Sequence, residues 1–279
     1  MSTHSKTFPA WVFFSLAANG LLMLAIAWVL LRQSQWSFPS PLSQSVATTP
    51  LSHPTVTPIL ELGERHQLNY QQWVALLEQE AQVIAEQKPE HLAVLLGDSI
   101  SLWFPNELLP PDQKWLNQGI SGETSAGLLN RLELLDQTQP EVIFVMIGIN
   151  DLIRGIKDET LLANQQLIIR YLQRVHPQAQ IVVQSVLPHS AEKATWQGRD
   201  RLLEIPNRRI RDINQRLKAI AKAEGVIYLD LYPMFADTKG NLKSELSTDG
   251  LHLSPQGYLV WHYALQLFNQ LLLDGEVGK

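Results

Sequence analysis

From about residue 59 onward, the chain alternates short apolar runs with stretches in which apolar residues recur every three or four positions. The apolar runs predict five strands, at His91–Leu96, Lys114–Asn117, Glu141–Ile147, Gln180–Leu187 and Gly225–Asp230. The remaining stretches predict helices at Ile59–Gln87, Thr124–Leu135, Glu159–Val175 and Leu202–Glu224, and a last helix that begins at Pro255. Strands that alternate with helices favour an α/β fold with a parallel sheet covered on both faces.

The N-terminal part has a different pattern. Trp11–Leu31 is an almost unbroken apolar run, about as long as the roughly 20 helical residues that cross a bilayer. We therefore expect residues 1–32 to be an uncleaved single-pass membrane anchor, residues 33–58 (rich in Ser, Thr, Pro and Gln) to be a flexible linker, and residues 59–279 to be one domain. A cleaved signal peptide and a buried helix are the alternatives. Lys6 before the run favours the N-terminus inside, with the domain on the extracytoplasmic side.

Composition removes several classes of function. The 279 residues carry a net charge of -5 and no block of Lys and Arg, which argues against a nucleic-acid partner. The chain has no Cys, so disulfides, thiolate catalysis and Cys-based zinc sites are excluded. No His, Asp and Glu residues have the spacing of metal ligands, and Gly119, Gly122 and Gly127 do not match a dinucleotide-binding loop. We therefore expect no metal ion and no cofactor.

Residues that can carry chemistry follow the predicted strands. Ser99 stands in a tight turn directly after the first strand, and Gly119 and Asn150 follow the second and third. Asp249 and His252 lie in the loop after the fifth strand. Because the carboxyl ends of parallel strands meet at the same edge of a sheet, we expect these residues to converge there.

The residue types match the needs of a serine nucleophile. A serine hydroxyl needs a base to remove its proton, and His252 is the candidate base for Ser99. Asp249, three residues earlier, can accept the other imidazole N–H and fix its tautomer. The N–H groups of Ser99 and Gly119 and the side-chain amide of Asn150 are candidate oxyanion donors. Gly119 suits that role because a residue without a Cβ lets backbone approach a ligand closely.

Four segments, taken together, resemble the SGNH (GDSL-type) hydrolase family in order and spacing, namely Gly97–Ile100, Asn117–Gly122, Gly148–Asp151 and Asp249–His252. Ile100 stands where the family name has Leu. The resemblance covers about Leu92–Leu273 and is strongest to the bacterial acyl-esterase, thioesterase and lysophospholipase-like branch. It implies a flavodoxin-like three-layer α/β/α sandwich with sheet order 2-1-3-4-5, and hydrolysis of an ester or thioester through an acyl-enzyme. The implied roles are nucleophile for Ser99, further triad members for Asp249 and His252, and oxyanion donors for Ser99, Gly119 and Asn150.

Several alternatives remain open from the sequence. Asp230 also ends a predicted strand and competes with Asp249 as the orienting acid, whereas His91, His176 and His262 are more typical of packing or surface positions. An O-acyltransferase acting on envelope glycans would use the same acyl-enzyme, and a non-catalytic binding module would share only the fold. The substrate is a small ester or thioester, a lipid or an acylated glycan. Aromatic residues that could line its site, or merely anchor loops, are Trp103, Phe104 and Trp196.

Overall fold

The structure is a computed structural model that describes the backbone of residues 68–273 and the side chains of residues 68–270. The predicted anchor and linker lie outside these residues, as do the first residues of the predicted domain. Within 68–273, none of the helices is both long enough and apolar enough to traverse a bilayer.

Five parallel strands form the sheet, in the order 2-1-3-4-5 that the resemblance implies. They are β1 (Leu92–Gly97), β2 (Lys114–Gly119), β3 (Val142–Met146), β4 (Gln180–Gln184) and β5 (Ile227–Leu229). Gly97, the last residue of β1, lies opposite Gly119 on β2 and Met146 on β3. The carboxyl ends of the three neighbouring strands are therefore level, and the residues that follow them share one edge.

Nine α-helices surround the sheet within the described residues. They are α1 (Tyr70–Gln87), α2 (Ser99–Leu102), α3 (Ser125–Leu129), α4 (Ile149–Ile153), α5 (Asp158–Val175), α6 (Arg199–Leu203), α7 (Asn207–Ala223), α8 (Tyr232–Phe235) and α9 (Pro255–Leu273). Short 3₁₀ turns lie at Asn106–Leu108, Leu132–Leu135, Ala191–Lys193 and Ser244–Leu246.

Side chains of alternate strand residues enter two separate cores, one on each face of the sheet. On β1, Val94 and Leu96 belong to the core that contains buried residues of α1, α5 and α7. Ala93 and Leu95 belong to the other core, with buried residues of α8 and α9. All six residues of β1 are buried. A strand covered on both faces is apolar without interruption, which is why the sequence identified it.

Three of the differences between predicted and observed elements have a cause that is visible in the structure. The helix expected at Thr124–Leu135 ends at Leu129, because Arg131 leaves the helical conformation and its guanidinium binds buried acceptors. The helix expected at Leu202–Glu224 is interrupted at Pro206, directly before α7. The proline ring clashes with a helical conformation of the residues before it, so a helix can begin after Pro206 but cannot run through it.

The strand expected at Gln180–Leu187 also differs, since β4 stops at Gln184. Beyond it, both backbone groups of Val186 bond to the Asn214 side chain instead of to a neighbouring strand, at 2.9 Å for the N–H and 2.8 Å for the carbonyl. A side chain 28 residues away therefore ends the strand.

Candidate active site

Ser99 is the first residue of α2 and lies directly beyond the end of β1. Asp98 is the N-cap of this short helix, and its Oδ1 accepts the Ile100 N–H at 3.0 Å. Ser99 is largely buried, and no acceptor among the described residues takes its backbone N–H. The turn thus presents the Ser99 hydroxyl with an unused backbone donor beside it.

The loop that follows α8 brings Asp249 and His252 to Ser99. Ser99 Oγ lies 3.1 Å from His252 Nε2, and His252 Nδ1 lies 2.8 Å from Asp249 Oδ2. The other carboxylate oxygen, Asp249 Oδ1, accepts the backbone N–H groups of His252 at 2.8 Å and Leu251 at 2.9 Å. The carboxylate therefore accepts from three donors, which fix both the loop and the ring.

The hydrogen bonds also set the charge of Asp249. Burial alone would raise the pKa of this carboxyl, but the bonds from the His252 side chain, the His252 N–H and the Leu251 N–H outweigh burial and lower the pKa. Asp249 is therefore ionised at neutral pH and holds the proton of His252 on Nδ1. The remaining lone pair, on Nε2, faces the serine hydroxyl.

Asn150 lies on α4, which follows β3 at the same edge of the sheet. Its Nδ2 is buried, makes no well-aligned hydrogen bond among the described residues, and interacts with the Asp98 carboxyl closely enough to lower the pKa of that group. A buried amide without a well-aligned acceptor costs free energy in the resting protein. Such a donor is available to an oxygen that arrives with a ligand.

Gly119 lies at the carboxyl end of β2, but its N–H already donates a hydrogen bond within the protein. The N–H donates to Asn117 Oδ1 at 3.0 Å, and Asn117 Nδ2 in turn donates to Ser101 O at 2.7 Å. A Cβ on Gly119 would lie 2.4 Å from Leu102 N, a backbone atom of α2. The close approach that requires glycine here is to α2 and not to a ligand, so the reason given for Gly119 from the sequence needs correction.

Gly122, three residues further along, is a residue that sequence reasoning left without a role. Its N–H has no acceptor among the described residues, whereas its carbonyl accepts from Arg154 at 2.6 Å. The next residue, Glu123, forms a buried ion pair with Arg131, which also donates to Gln118 O at 2.6 Å. The loop around Gly122 is therefore fixed by two arginines, Arg154 at Gly122 O and Arg131 at the Glu123 carboxylate.

Asp98 is the most perturbed carboxyl of this edge, with 1% of its surface exposed. Its pKa is raised to about 7, chiefly by burial and further by the neighbouring carboxylates of Glu123 and Asp151. The Ile100 N–H and the Asn150 side chain act in the opposite direction. Asp98 shapes the turn as the N-cap of α2, and this role has an energetic cost when the carboxyl ionises.

The cost of ionising the buried Asp98 carboxyl should make the free energy of unfolding depend on pH. An unfolded aspartate ionises near pH 4 and Asp98 in the folded protein near pH 7, so ionisation makes the free energy of unfolding fall as the pH rises from about 4 to about 7. In Asp98→Asn the amide oxygen can still accept the Ile100 N–H, and the cost disappears. We expect the variant to be more stable than the wild type at pH 8 by on the order of 2–4 kcal/mol, and about equally stable at pH 4. Urea unfolding at both pH values measures the difference.

Asp151→Asn is the matched control for this measurement. Burial also raises the pKa of Asp151, but both of its oxygens accept from Ser125, at 2.8 Å from the N–H and 2.5 Å from the hydroxyl. An amide would turn an N–H₂ group toward one of these donors, so this variant loses stability at pH 8. A similar gain in both variants, or none in Asp98→Asn, contradicts the explanation.

The other candidate acid and bases take no part in the hydrogen bonds that link Ser99, His252 and Asp249. Asp230 is exposed and Asp249 occupies the His252 Nδ1 position. His91 pairs with Glu141, and His262 Nδ1 bonds to the carbonyl of Leu108. His176 is buried at the opposite end of β4, after α5.

The aromatic residues considered for the substrate mainly pack on the domain. Phe104 is buried and meets the rings of Tyr258 and Trp261 with centroids 5.4 and 4.9 Å apart. The Trp196 side chain packs against the core on the other face, and its backbone N–H donates to Asp249 O at 2.9 Å. Among residues whose side chains are described, no three His, Asp or Glu are grouped as a metal site would require.

A family model and curated relatives match much of this chain. The GDSL-like Lipase/Acylhydrolase family model matches residues 95–260. The platelet-activating factor acetylhydrolase IB subunit alpha1 of Rattus norvegicus is 28% identical over 217 residues, which are 74% of this chain and 86% of that protein.

Solved structures share the fold. One from Streptococcus pneumonia, described as a platelet activating factor, is 27% identical with a TM-score of 0.63, and the match covers 71% of this chain and 93% of the other. A GDSL-like lipase from Bacteroides thetaiotaomicron is 20% identical with a TM-score of 0.58, over 70% of this chain and 97% of the other. Since the family model spans more than half of the sequence, this protein belongs to the GDSL-like lipase/acylhydrolase family and is a carboxylic ester hydrolase.

Proposed function

We propose that this protein hydrolyses a carboxylic ester through an acyl-enzyme on Ser99, with His252 as base and Asp249 as the acid that orients it. The observation that carries the proposal is the continuous chain of contacts from Ser99 Oγ to His252 Nε2 at 3.1 Å and from His252 Nδ1 to Asp249 Oδ2 at 2.8 Å. The ionised Asp249 keeps Nε2 free to accept the serine proton.

The proposed reaction has two halves. In the first, Ser99 Oγ attacks the carbonyl carbon while its proton passes to His252 Nε2, and Asp249 stabilises the imidazolium that results. The tetrahedral intermediate then collapses, the C–O bond to the alcohol breaks, and His252 returns the proton to the leaving oxygen. In the second half, His252 takes a proton from water as the water oxygen attacks the acyl carbon. The bond from that carbon to Ser99 Oγ then breaks, His252 returns the proton to Oγ, and the carboxylic acid leaves.

Three unused donors support an oxyanion site in this proposal. They are the N–H groups of Ser99 and Gly122 and the buried Nδ2 of Asn150, none of which makes a well-aligned hydrogen bond among the described residues. Gly119, the donor expected from the sequence, would first have to release Asn117 Oδ1, so we assign its role to Gly122. Each such donor typically lowers the barrier by about 3–4 kcal/mol.

For the acyl group we propose acetyl. The support is the name of the Rattus norvegicus relative, an acetylhydrolase that matches 74% of this chain. To test this, the full chain is assayed against p-nitrophenyl esters from acetate to palmitate. We expect turnover, with kcat/KM highest for the acetate; a maximum at a long chain overturns the acetyl assignment, and no turnover of any ester overturns the hydrolase proposal.

The same acyl-enzyme could pass its acyl group to a sugar hydroxyl instead of water. Product analysis with an added acceptor alcohol separates the two reactions. We expect free acid as the main product at all acceptor concentrations. Acylated acceptor as the main product would instead assign the O-acyltransferase activity.

A further inference from the structure

His189, which follows β4, is a buried histidine that the proposed mechanism does not use. Only 1% of its surface is exposed. Its Nε2 lies 2.6 Å from Ile205 O, and its Nδ1 lies 3.0 Å from the Ala191 N–H. A carbonyl can only accept and an N–H can only donate, so Nε2 carries the proton and Nδ1 carries none. These two contacts fix a neutral ring in a single tautomer.

The surroundings keep this ring neutral and fixed. Burial lowers the pKa of His189, against the hydrogen bond to Ile205 O, which raises it. Its backbone is held as well, because the N–H donates to Asn207 Oδ1 at 3.0 Å and the carbonyl accepts Asn207 Nδ2 at 2.7 Å. The Leu242 N–H adds a third backbone contact at 3.1 Å.

The acceptor on His189 closes an unfavourable turn. Ala191 has φ 50°, in the left-handed region that is unfavourable for residues with a Cβ. Its N–H reaches no backbone carbonyl and bonds to His189 Nδ1 instead. The turn continues with Lys193 N–H to Ser190 O at 3.1 Å and Ala194 N–H to Ala191 O at 3.0 Å. His189 thus supports the start of Ser190–Trp196, called the supporting segment below.

The supporting segment binds the loop that carries Asp249 and His252. The Ser190 N–H donates to Gly250 O at 2.8 Å. The N–H groups of Thr195 and Trp196 both donate to Asp249 O, at 2.8 and 2.9 Å. Three hydrogen bonds therefore tie the backbone next to the catalytic carboxylate to this segment.

Packing between the two segments leaves little room for adjustment. A Cβ on Gly250 would lie 2.5 Å from Ala194 Cα and 2.6 Å from Ala194 Cβ. Gly250 itself has φ 90°, which glycine adopts without strain. A shift of the supporting segment is therefore transmitted to the loop through contacts at van der Waals distance.

We propose that His189, as the neutral Nε2-protonated ring, is a positioning residue for Asp249 and His252. It fixes the supporting segment, and the supporting segment fixes the loop that aims His252 at Ser99. The effect on catalysis rests on the proposed function, whereas the effect on the His252–Asp249 hydrogen bond does not.

Two variants of His189 separate its two contacts. His189→Asn places an oxygen near the position of Nδ1 and keeps the acceptor for the Ala191 N–H, while His189→Gln places an N–H₂ near the position of Nε2 and keeps the donor to Ile205 O. Each variant loses one buried hydrogen bond, so a merely structural role would affect the two alike. We expect kcat to fall about tenfold to a hundredfold in His189→Gln, with KM nearly unchanged, and to stay within about threefold in His189→Asn.

The second readout is the low-field proton resonance of the His252 Nδ1–H that bonds to Asp249 Oδ2. It should stay sharp in His189→Asn and shift or broaden in His189→Gln. This readout needs no turnover, so it tests the positioning role even if the proposed ester hydrolysis fails. His176→Asn is the control, since His176 is a buried histidine whose pKa is also lowered by burial but which lies at the opposite end of β4. The control should change neither readout.

Equal values of kcat and of the resonance in the two His189 variants would overturn the proposal. Should either variant fail to fold, the nitrogen chemical shifts of His189 in the wild-type protein still decide. We expect an unprotonated Nδ1 at pH 7.5, and a proton on Nδ1 at that pH would overturn the inference.

Discussion

Ser99→Ala is expected to abolish ester hydrolysis while leaving the fold intact. The substitution removes one oxygen, whose contact in the resting protein is the 3.1 Å hydrogen bond to His252 Nε2. Without that oxygen no acyl-enzyme forms, and loss of a serine nucleophile typically lowers kcat by roughly a million-fold. We expect the activity on p-nitrophenyl acetate to fall at least about 10⁴-fold, with the far-UV spectrum and the urea midpoint close to those of the wild type.

Ser101→Ala provides a matched control on the same short helix. Ser101 is fully buried and its hydroxyl has no hydrogen-bond partner among the described residues. Removing an unpartnered hydroxyl should not reduce stability, and the activity should remain near that of the wild type. Activity in Ser99→Ala comparable to that of Ser101→Ala would mean that another residue is the nucleophile.

Asp249→Asn is expected to have the next largest effect, through the tautomer of His252. The amide oxygen can replace Oδ1, which accepts the backbone N–H groups of His252 and Leu251, so the loop is retained. The N–H₂ group would then face His252 Nδ1 and force the ring proton to Nε2, where it blocks removal of the Ser99 proton. We expect kcat to fall about 10⁴-fold with a smaller change in KM, as in other serine hydrolases that depend on this orientation.

Asp230→Asn is the control for this variant, because Asp230 is an exposed aspartate that also follows a strand. Its kcat should match that of the wild type. A tenfold or smaller loss in Asp249→Asn, or an equal loss in both variants, would remove Asp249 from the assigned role and reopen the choice between the two acids.

The sheet could be predicted from the sequence because its central strands are buried on both faces. β1 and β3 read as continuous apolar runs, and the alternation with helices required a parallel arrangement. The strand order came from the family resemblance and is confirmed. The edge strand β5 is shorter than expected, at Ile227–Leu229, and its residues are only partly buried.

Breaks within elements could not be predicted, because distant side chains cause them. Arg131 ends a helix by binding Glu123 and Gln118 O, and Asn214 ends β4 by binding Val186. Such contacts become visible only when segments remote in the sequence are packed together. Periodicity reports which face of an element is buried, but not where a side chain replaces a backbone partner.

The candidate site, like the fold, could be predicted from the sequence only in part. Residue type and position after a strand suffice to single out Ser99, Asn150, Asp249 and His252. They do not show that the Gly119 N–H is already bonded to Asn117.

Nor do they show the support of the Asp249–His252 loop, since it comes from a segment more than 50 residues earlier in the chain. The predicted anchor and linker, together with the expected extracytoplasmic location, stay predictions.

Covalent labelling of the full chain with a fluorophosphonate, followed by mass spectrometry of its peptides, tests whether Ser99 is the nucleophile. The reagent reacts with a serine only when a neighbouring base and oxyanion donors activate it. We predict one label per chain, carried by Ser99, with loss of esterase activity in proportion to labelling and no label in Ser99→Ala. A label on a different residue that accompanies the loss of activity, or full activity after Ser99 is labelled, would show that Ser99 is not the nucleophile.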